Sequence, residues 1–147
     1  MATAPQEVTE ISAGGHPVVL GRDALRALDR RLGVEDHSAA FILGDENTLR
    51  HCLPELLAQV PRLRDARTLV IPPGERSKDI AISGEIWRHL AAEAADREAL
   101  LVCLGGGVVT DLGGFVAATF KRGIRCIHVP TSLMGMVDAA IGGKTGI

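Results

Sequence analysis

The sequence predicts an α/β protein: a Rossmann-like, doubly wound and mostly parallel sheet with flanking helices. Short apolar runs of strand length alternate with helix-period segments about every dozen residues. The run "AAFILG" (39–44) is apolar throughout, as a strand covered on both faces requires, and "ALLVCL" (99–104) reads as buried too. The polar and Gly- or Pro-rich segments follow the runs, where parallel strands would gather them at one sheet edge.

The first strand signal is "PVVLG" (17–21), which can pair with "EVTEIS" across the turn residues "AGGH". "RDALRALDRRLG" repeats Leu25, Leu28 and Leu32 at helical spacing, with Gly33 as C-cap. "AAFILG" (39–44) is a buried strand. "ENTLRHCLPELLAQV" is helical, with Pro54 either kinking it or starting a second helix. "RTLVI" (67–71) is the next strand, "PPGERSKD" a turn-rich loop, and "IAISGEIWRHLAAEAA" a helix with Ile82, Ile86, Leu90 and Ala94 on or near one face. "ALLVCL" (99–104) is a buried strand, "GGG" a tight loop and "VVTDLGGFVAATF" a helix. "IRCIHV" (124–129) is a strand, and "PTSLMGMVDAA" a last helical segment.

The 147 residues form a single domain, 1–147, able to bury a real core. With 46% hydrophobic and 23% charged residues the chain reads as soluble and globular. A net charge of −2, one Trp, three Phe and no Tyr give neither the basic footprint nor the stacking surface of a nucleic-acid partner. "MATAPQEVTE" lacks a secretory pattern, and no apolar run reaches membrane-spanning length. Cys52, Cys103 and Cys126 are odd in number and widely spaced, so they are expected to be small core residues of a reducing, cytoplasmic setting without disulfides.

The strongest local signal is "LGGGVVTDLGG" (104–114), glycines leaving a strand and opening a helix whose free N–H groups favour an anion. It is not G-x-G-x-x-G, because Thr110 stands where the third glycine would fall. A dinucleotide loop and a tight strand-to-helix turn both remain open. Asp111, in the first turn, is a dipole-compensating carboxylate or an acceptor for ribose hydroxyls. On the same edge Glu75 and Lys78 of "PGERSK" suit an adenosine hydroxyl and a phosphate, or form a surface charge pair. Asp45 and Asn47 of "GDEN" are ligand contacts or a helix N-cap. Arg122 in "FKRGIR" suits a phosphate or carboxylate clamp, or an exposed basic turn. His128 is expected to be a satisfied core histidine. His16, His37, His51 and His89 lack ligand spacing, and no sequence motif marks a metal site. The tail "IGGKTGI" imitates a P-loop, but Asp138 occupies the position where that loop needs glycine and would repel the phosphate.

Together and in this order, "PPGERSK", "LGGGVVTDLGGFVAATFKRG", "HVPTSL" and "MVDAAIGGKTGI" resemble the 3-dehydroquinate synthase family. The resemblance is dense over 71–147 and looser before that. It implies an NAD-binding α/β domain belonging to a protein of more than twice this length, whose mostly helical second domain is absent. It also implies that the isolated chain is inactive. Asp45, Asn47, Glu75 and Lys78 match adenosine-side contacts of the family. Gly106, Gly107, Val108 and Asp111 match its pyrophosphate and ribose contacts, and Thr131 and Ser132 a Thr-Thr pair. Arg122, Asp138 and Lys144 match substrate-side residues, with Arg122 and Lys144 near the phosphate. Ser132 and Ala139-Ala140 depart from the commoner Thr and Ser-Ser.

The implied activity belongs to the shikimate pathway, on the way to chorismate and the aromatic amino acids. It is a lyase reaction that turns 3-deoxy-arabino-heptulosonate 7-phosphate into 3-dehydroquinate and phosphate, with transient oxidation by NAD, phosphate elimination, reduction and aldol closure. The resemblance further implies a divalent metal, zinc or cobalt, held by one Glu and two His of the second domain, and a homodimer. A sugar phosphate is then the partner, with no nucleic acid and no membrane. Related sugar-phosphate cyclases, the 2-deoxy-scyllo-inosose and epi-valiolone synthases, share the NAD cycle but fit "VDAAIGGKTG" less well. Glycerol and alcohol dehydrogenases of the superfamily fit "DLGG" poorly. A nucleotide-binding module without chemistry of its own is the non-enzymatic reading.

Overall fold

The computed structural model describes residues 8–147; Glu7, the first residue of "EVTEIS", and the six residues before it lie outside that range. Four parallel strands, β3 (Ala40–Asp45), β4 (Arg67–Ile71), β5 (Leu100–Gly105) and β6 (Arg125–Pro130), form the sheet in the order β4-β3-β5-β6. Preceding them, β1 (Thr9–Ala13) and β2 (His16–Leu20) make a separate antiparallel hairpin, with Glu10 opposite Val19. The chain runs outward from β3 to β4, crosses back to β5 on the other side of β3, and continues to β6. Strand order therefore reverses between β3 and β5, and the crevice at their carboxyl ends is where such sheets bind ligands.

Alternation along the strands divides the core. Phe41, Leu43, Leu69, Ile71, Leu101 and Cys103 face α3 (Ile80–Ala92) and α4 (Gly107–Thr119), meeting Ile86, Leu90, Val109, Leu112 and Val116. Ile42, Leu100, Val102 and Leu104 face α1 (Ala24–Leu32) and α2 (Glu46–Gln59), meeting Leu32 and Leu56. Every residue of β5 is buried, which explains why its sequence is apolar without alternation. Each fully buried leucine there contributes about 1.5–3 kcal/mol relative to exposure.

Gly33 is the C-cap of α1, but in right-handed conformation. A Cβ there would lie 2.8 Å from the Arg62 guanidinium, the half-exposed end of a flexible side chain that can shift aside. Pro54 sits inside a continuous α2; the residue is exposed, so water can satisfy the Arg50 carbonyl that proline leaves without a donor. Ala94 is not on the α3 face. It is exposed at φ 56°, past the helix end, with Ala94 N–H donating to Ala91 O and Ala95 N–H to Leu90 O. That is a Schellman turn with alanine in the usual glycine position. The final segment is also less regular than its sequence suggests, with Gly135–Ala139 forming a π-helical turn.

Candidate functional site

The site is built around the start of α4. α2 is capped by the Asp45 carboxylate, which accepts from Asn47 and Thr48 N–H while Thr48 Oγ1 accepts from Asp45 N–H. α3 is capped by Asp79. α1 and α4 have no side-chain cap, and of the two only α4 starts from a glycine N-cap, Gly106, at a strand end of the sheet. Its first N–H groups and dipole face the strand-end crevice with no internal partner, an arrangement suited to an anion. A Cβ on Gly106 would come no nearer than 3.2 Å to another atom, Ser132 Oγ, and one on Gly107 no nearer than 3.9 Å, to Ala139 Cβ. Gly105 has a different task, since a Cβ there would strike Val109 at 2.5 Å. Thr110, in place of the third fingerprint glycine, is buried and donates to the Gly106 and Gly107 carbonyls.

Asp111 lies in the second turn of α4 and not the first, because the helix begins at Gly107. So far in, it compensates the dipole weakly. It pairs instead with Lys78, Nζ to Oδ2 at 2.8 Å, and Lys78 also reaches Glu75 at 3.4 Å. Both side chains of the first pair are about three-quarters buried, whereas Glu75 is 76% exposed. The hydrogen bond that Lys78 donates to Asp111, aided by the charges of Asp111 and Glu75 against the cost of burial, holds the Lys78 ammonium above its ordinary pKa. The pair ties the loop after β4 to α4, and sequence spacing gives no hint of it.

Beside the pair is a cleft of about 340 Å³ lined by Lys78, Asp111, Asp138, Ala139, Lys144 and the last residues, Thr145–Ile147. The structure thus joins four candidate residues, Lys78, Asp111, Asp138 and Lys144, from three separate segments. Thr131 N–H donates to Gly105 O, and Ser132 Oγ accepts from Gly135 N–H, which fixes the β6 exit against the glycine turn. Asp45 serves as the N-cap at the neighbouring strand end, and Asn47 is exposed next to it. Arg122 lies outside the cleft lining; it is exposed at φ 67°, after the left-handed Lys121. His128 is not satisfied: its Nδ1 is buried without a partner, and burial pushes its pKa down, with Asp111 partly opposing.

An uncapped helix start opened by glycines, a paired carboxylate and two ammonium groups on one strand-end crevice can hold a dinucleotide pyrophosphate and a second, anionic ligand. They do not fit a divalent catalytic metal of the Glu-His-His kind. Among the described residues, the group of metal-ligating side chains that comes together is Cys103, Cys126 and His128, which has no carboxylate. No helix among the described residues is long and apolar enough to cross a membrane.

Residues 68–147 match the family described as 3-dehydroquinate synthase N-terminal. The chain is 47% identical over 130 residues to 3-dehydroquinate synthase from Parabacteroides distasonis, covering 88% of this chain and 36% of that protein. It is 42% identical over 145 residues to the same enzyme from Rhodococcus opacus, covering 99% of this chain and 39% of that protein. It therefore spans between a third and two-fifths of the length of these relatives. Among solved structures, 2-deoxy-scyllo-inosose synthase with carbaglucose-6-phosphate, NAD+ and Co2+ superposes with a TM-score of 0.76 at 20% identity, over 88% of this chain and 36% of that one. This likeness shows the fold. The 2-epi-5-epi-valiolone synthase from Streptomyces hygroscopicus, with NAD+ and Zn2+ bound, gives a TM-score of 0.64 at 32% identity, over 79% of this chain and 33% of that one.

Proposed function

Because this chain belongs to the 3-dehydroquinate synthase family, we propose that it forms the NAD-binding part of the shikimate-pathway lyase that converts 3-deoxy-arabino-heptulosonate 7-phosphate into 3-dehydroquinate and phosphate. One observation carries the reading: the uncapped Gly106–Gly107 start of α4 opens beside the Lys78–Asp111 pair, at the strand-end crevice. When bound there, NAD supplies the transient oxidation of a secondary alcohol and its later reversal. The first N–H groups of α4, at Gly107 and Val108, donate to the pyrophosphate. Asp111 gives Oδ2 to Lys78 and keeps Oδ1 for ribose hydroxyls. Glu75 and Asn47, both exposed on neighbouring loops, take the adenosine side together with Asp45.

The tail serves the other ligand. Asp138 accepts from substrate hydroxyls, and Lys144 answers the phosphate that leaves; Arg122, outside this cleft, is a second cation only of the complete site in the longer protein. Thr131 and Ser132 hold the β6 exit against the nucleotide. The whole reaction belongs to the longer protein, as a homodimer in a reducing cytoplasm with a divalent metal held outside these residues; the isolated chain binds NAD without turnover.

Calorimetry of NAD against this chain and its Asp111→Ala variant tests the reading. Binding by the wild type is expected, with affinity at least about tenfold weaker in the variant, from the loss of a charge-assisted hydrogen bond of about 1.5–3 kcal/mol. No heat and no thermal shift with the wild type at millimolar NAD would overturn it.

A further inference from the structure

Outside the cleft, Cys103, Cys126 and His128 come together between the sheet and α4. Leu101 pairs with Cys126 and Cys103 with His128 in the β5–β6 ladder, so alternation puts all three side chains on the α4 face. The two sulfurs are 3.6 Å apart, and one donor atom from each residue lies within 4.8 Å of the other two. Two thiolates on a tetrahedral ion, each at about 2.3 Å, stand about 3.8 Å apart, so the sulfurs already have the needed span. Gly113 makes room above them, since a Cβ there would fall 2.2 Å from Cys103 Sγ. His128 Nδ1 is buried with no hydrogen-bond partner. The buried Cys103 anchors the group, while Cys126 and His128, on the edge strand, are half-buried and give an ion a way in.

We propose that Cys103, Cys126 and His128 form a binding site for a soft divalent cation, of which zinc and cadmium are the type. Binding forms two metal–sulfur bonds and one metal–nitrogen bond. The two thiol protons pass to solvent, the imidazole binds neutral, and no oxidation state changes. Water completes the tetrahedron. The donor set has two sulfurs and no carboxylate, which selects against magnesium and calcium. An ion there would clamp β5 to β6 directly beneath α4, the helix that opens the nucleotide crevice.

The test is a titration of Cd2+ into the metal-stripped chain, kept as free thiols by a phosphine reductant, following the ultraviolet thiolate-to-cadmium band. Saturation at one ion per chain, together with a rise in melting temperature, is expected. Cys52→Ala should keep the band, whereas Cys103→Ala and Cys126→Ala should lose it. His128→Gln should weaken binding at least tenfold, since loss even of a group that only orients a ligand costs about 10–100-fold. Circular dichroism of the half-buried Cys126→Ala variant separates lost binding from lost folding. Absence of the band in the wild type would overturn the proposal, as would a band that survives Cys126→Ala or disappears with Cys52→Ala.

Discussion

Replacing Gly113 with alanine sets two effects of opposite sign against each other. In an exposed helix interior the change stabilises by about 1 kcal/mol, because alanine loses less backbone entropy. Gly113, however, is buried in α4, and the new methyl would stand 2.2 Å from Cys103 Sγ and 3.1 Å from Leu43 Cδ2. Both distances are well inside the about 3.5–4.0 Å of a favourable contact. Neither neighbour can swing away, since Leu43 and Cys103 are fully buried in adjacent strands. Overpacking of this kind costs about 1–3 kcal/mol, and at this depth of overlap the upper half of that range applies. The net expectation is a loss of about 1–2 kcal/mol, or roughly 3–6 °C in melting temperature for a chain of this size. Gly84 in α3 is the matched control, with nothing within 4 Å of its added Cβ; Gly84→Ala should gain about 0.5–1 kcal/mol. Urea unfolding of both variants measures the two signs. Adding Cys103→Ala to Gly113→Ala removes the sulfur, the nearest clash, and leaves Leu43 Cδ2 at 3.1 Å and the Cys103 Cβ at 3.4 Å, so the double variant should show a favourable coupling of about 1–2 kcal/mol. A Gly113→Ala variant as stable as the wild type would refute this account of the α4–β5 contact.

Ala94→Gly should stabilise by about 0.5–1 kcal/mol, because the left-handed Schellman position strains alanine by more than the added flexibility of glycine costs; thermal melting checks it. Asp45→Ala should lose about 1 kcal/mol through the α2 capping box, seen as a lower urea midpoint at unchanged slope. Lys78 has a raised pKa when folded, so its pairing stabilises the fold fully below the unfolded value of 10.5 and is lost as pH climbs through the higher folded value. Urea midpoints should therefore fall above that pH in the wild type, and fall less steeply in Lys78→Met.

Much of the fold was legible because the strands signal themselves. β3, β5 and β6 each begin and end one residue later than their apolar runs, and β4 coincides with its run. β3 and β5 are buried along nearly their whole length, so few polar positions blur their limits, whereas β4 shows its edge position in exposed Arg67, Thr68 and Val70. The ends of helices were harder. Ala94 continues the helical period of α3 but is the residue on which the chain turns, since glycine's absence hid the turn. The glycine run was legible as a helix start, while its division of labour was not. Gly105 is small to clear Val109, Gly106 to leave room for Ser132 Oγ, and Gly107 faces more open space. His128 read as an ordinary core histidine, and the cysteines as scattered, because the partners that make them a group are 23 residues apart in sequence and neighbours only in the β5–β6 ladder.

The tail shows why residues so far apart converge. Asp138 and Lys144 can line the same cleft as Asp111 only if the chain returns to α4 after leaving β6. Two backbone devices bring it back. Ala140 N–H closes the π-helical turn on Gly135 O, the Asp138 carbonyl then accepts from Ile141 and Gly142 N–H, and Gly143 follows at φ 61°. Thr145 lands on Gly114, where a Cβ would meet Thr145 Cγ2 at 2.5 Å. The second glycine of "DLGG" is thus the seat of the tail, as the first is the seat of Cys103. What imitates a P-loop in sequence is a strap whose glycines shape the return path. Its charged residues, Asp138 and Lys144, line the same cleft as the Lys78–Asp111 pair, so the two ligand roles proposed above would share one wall.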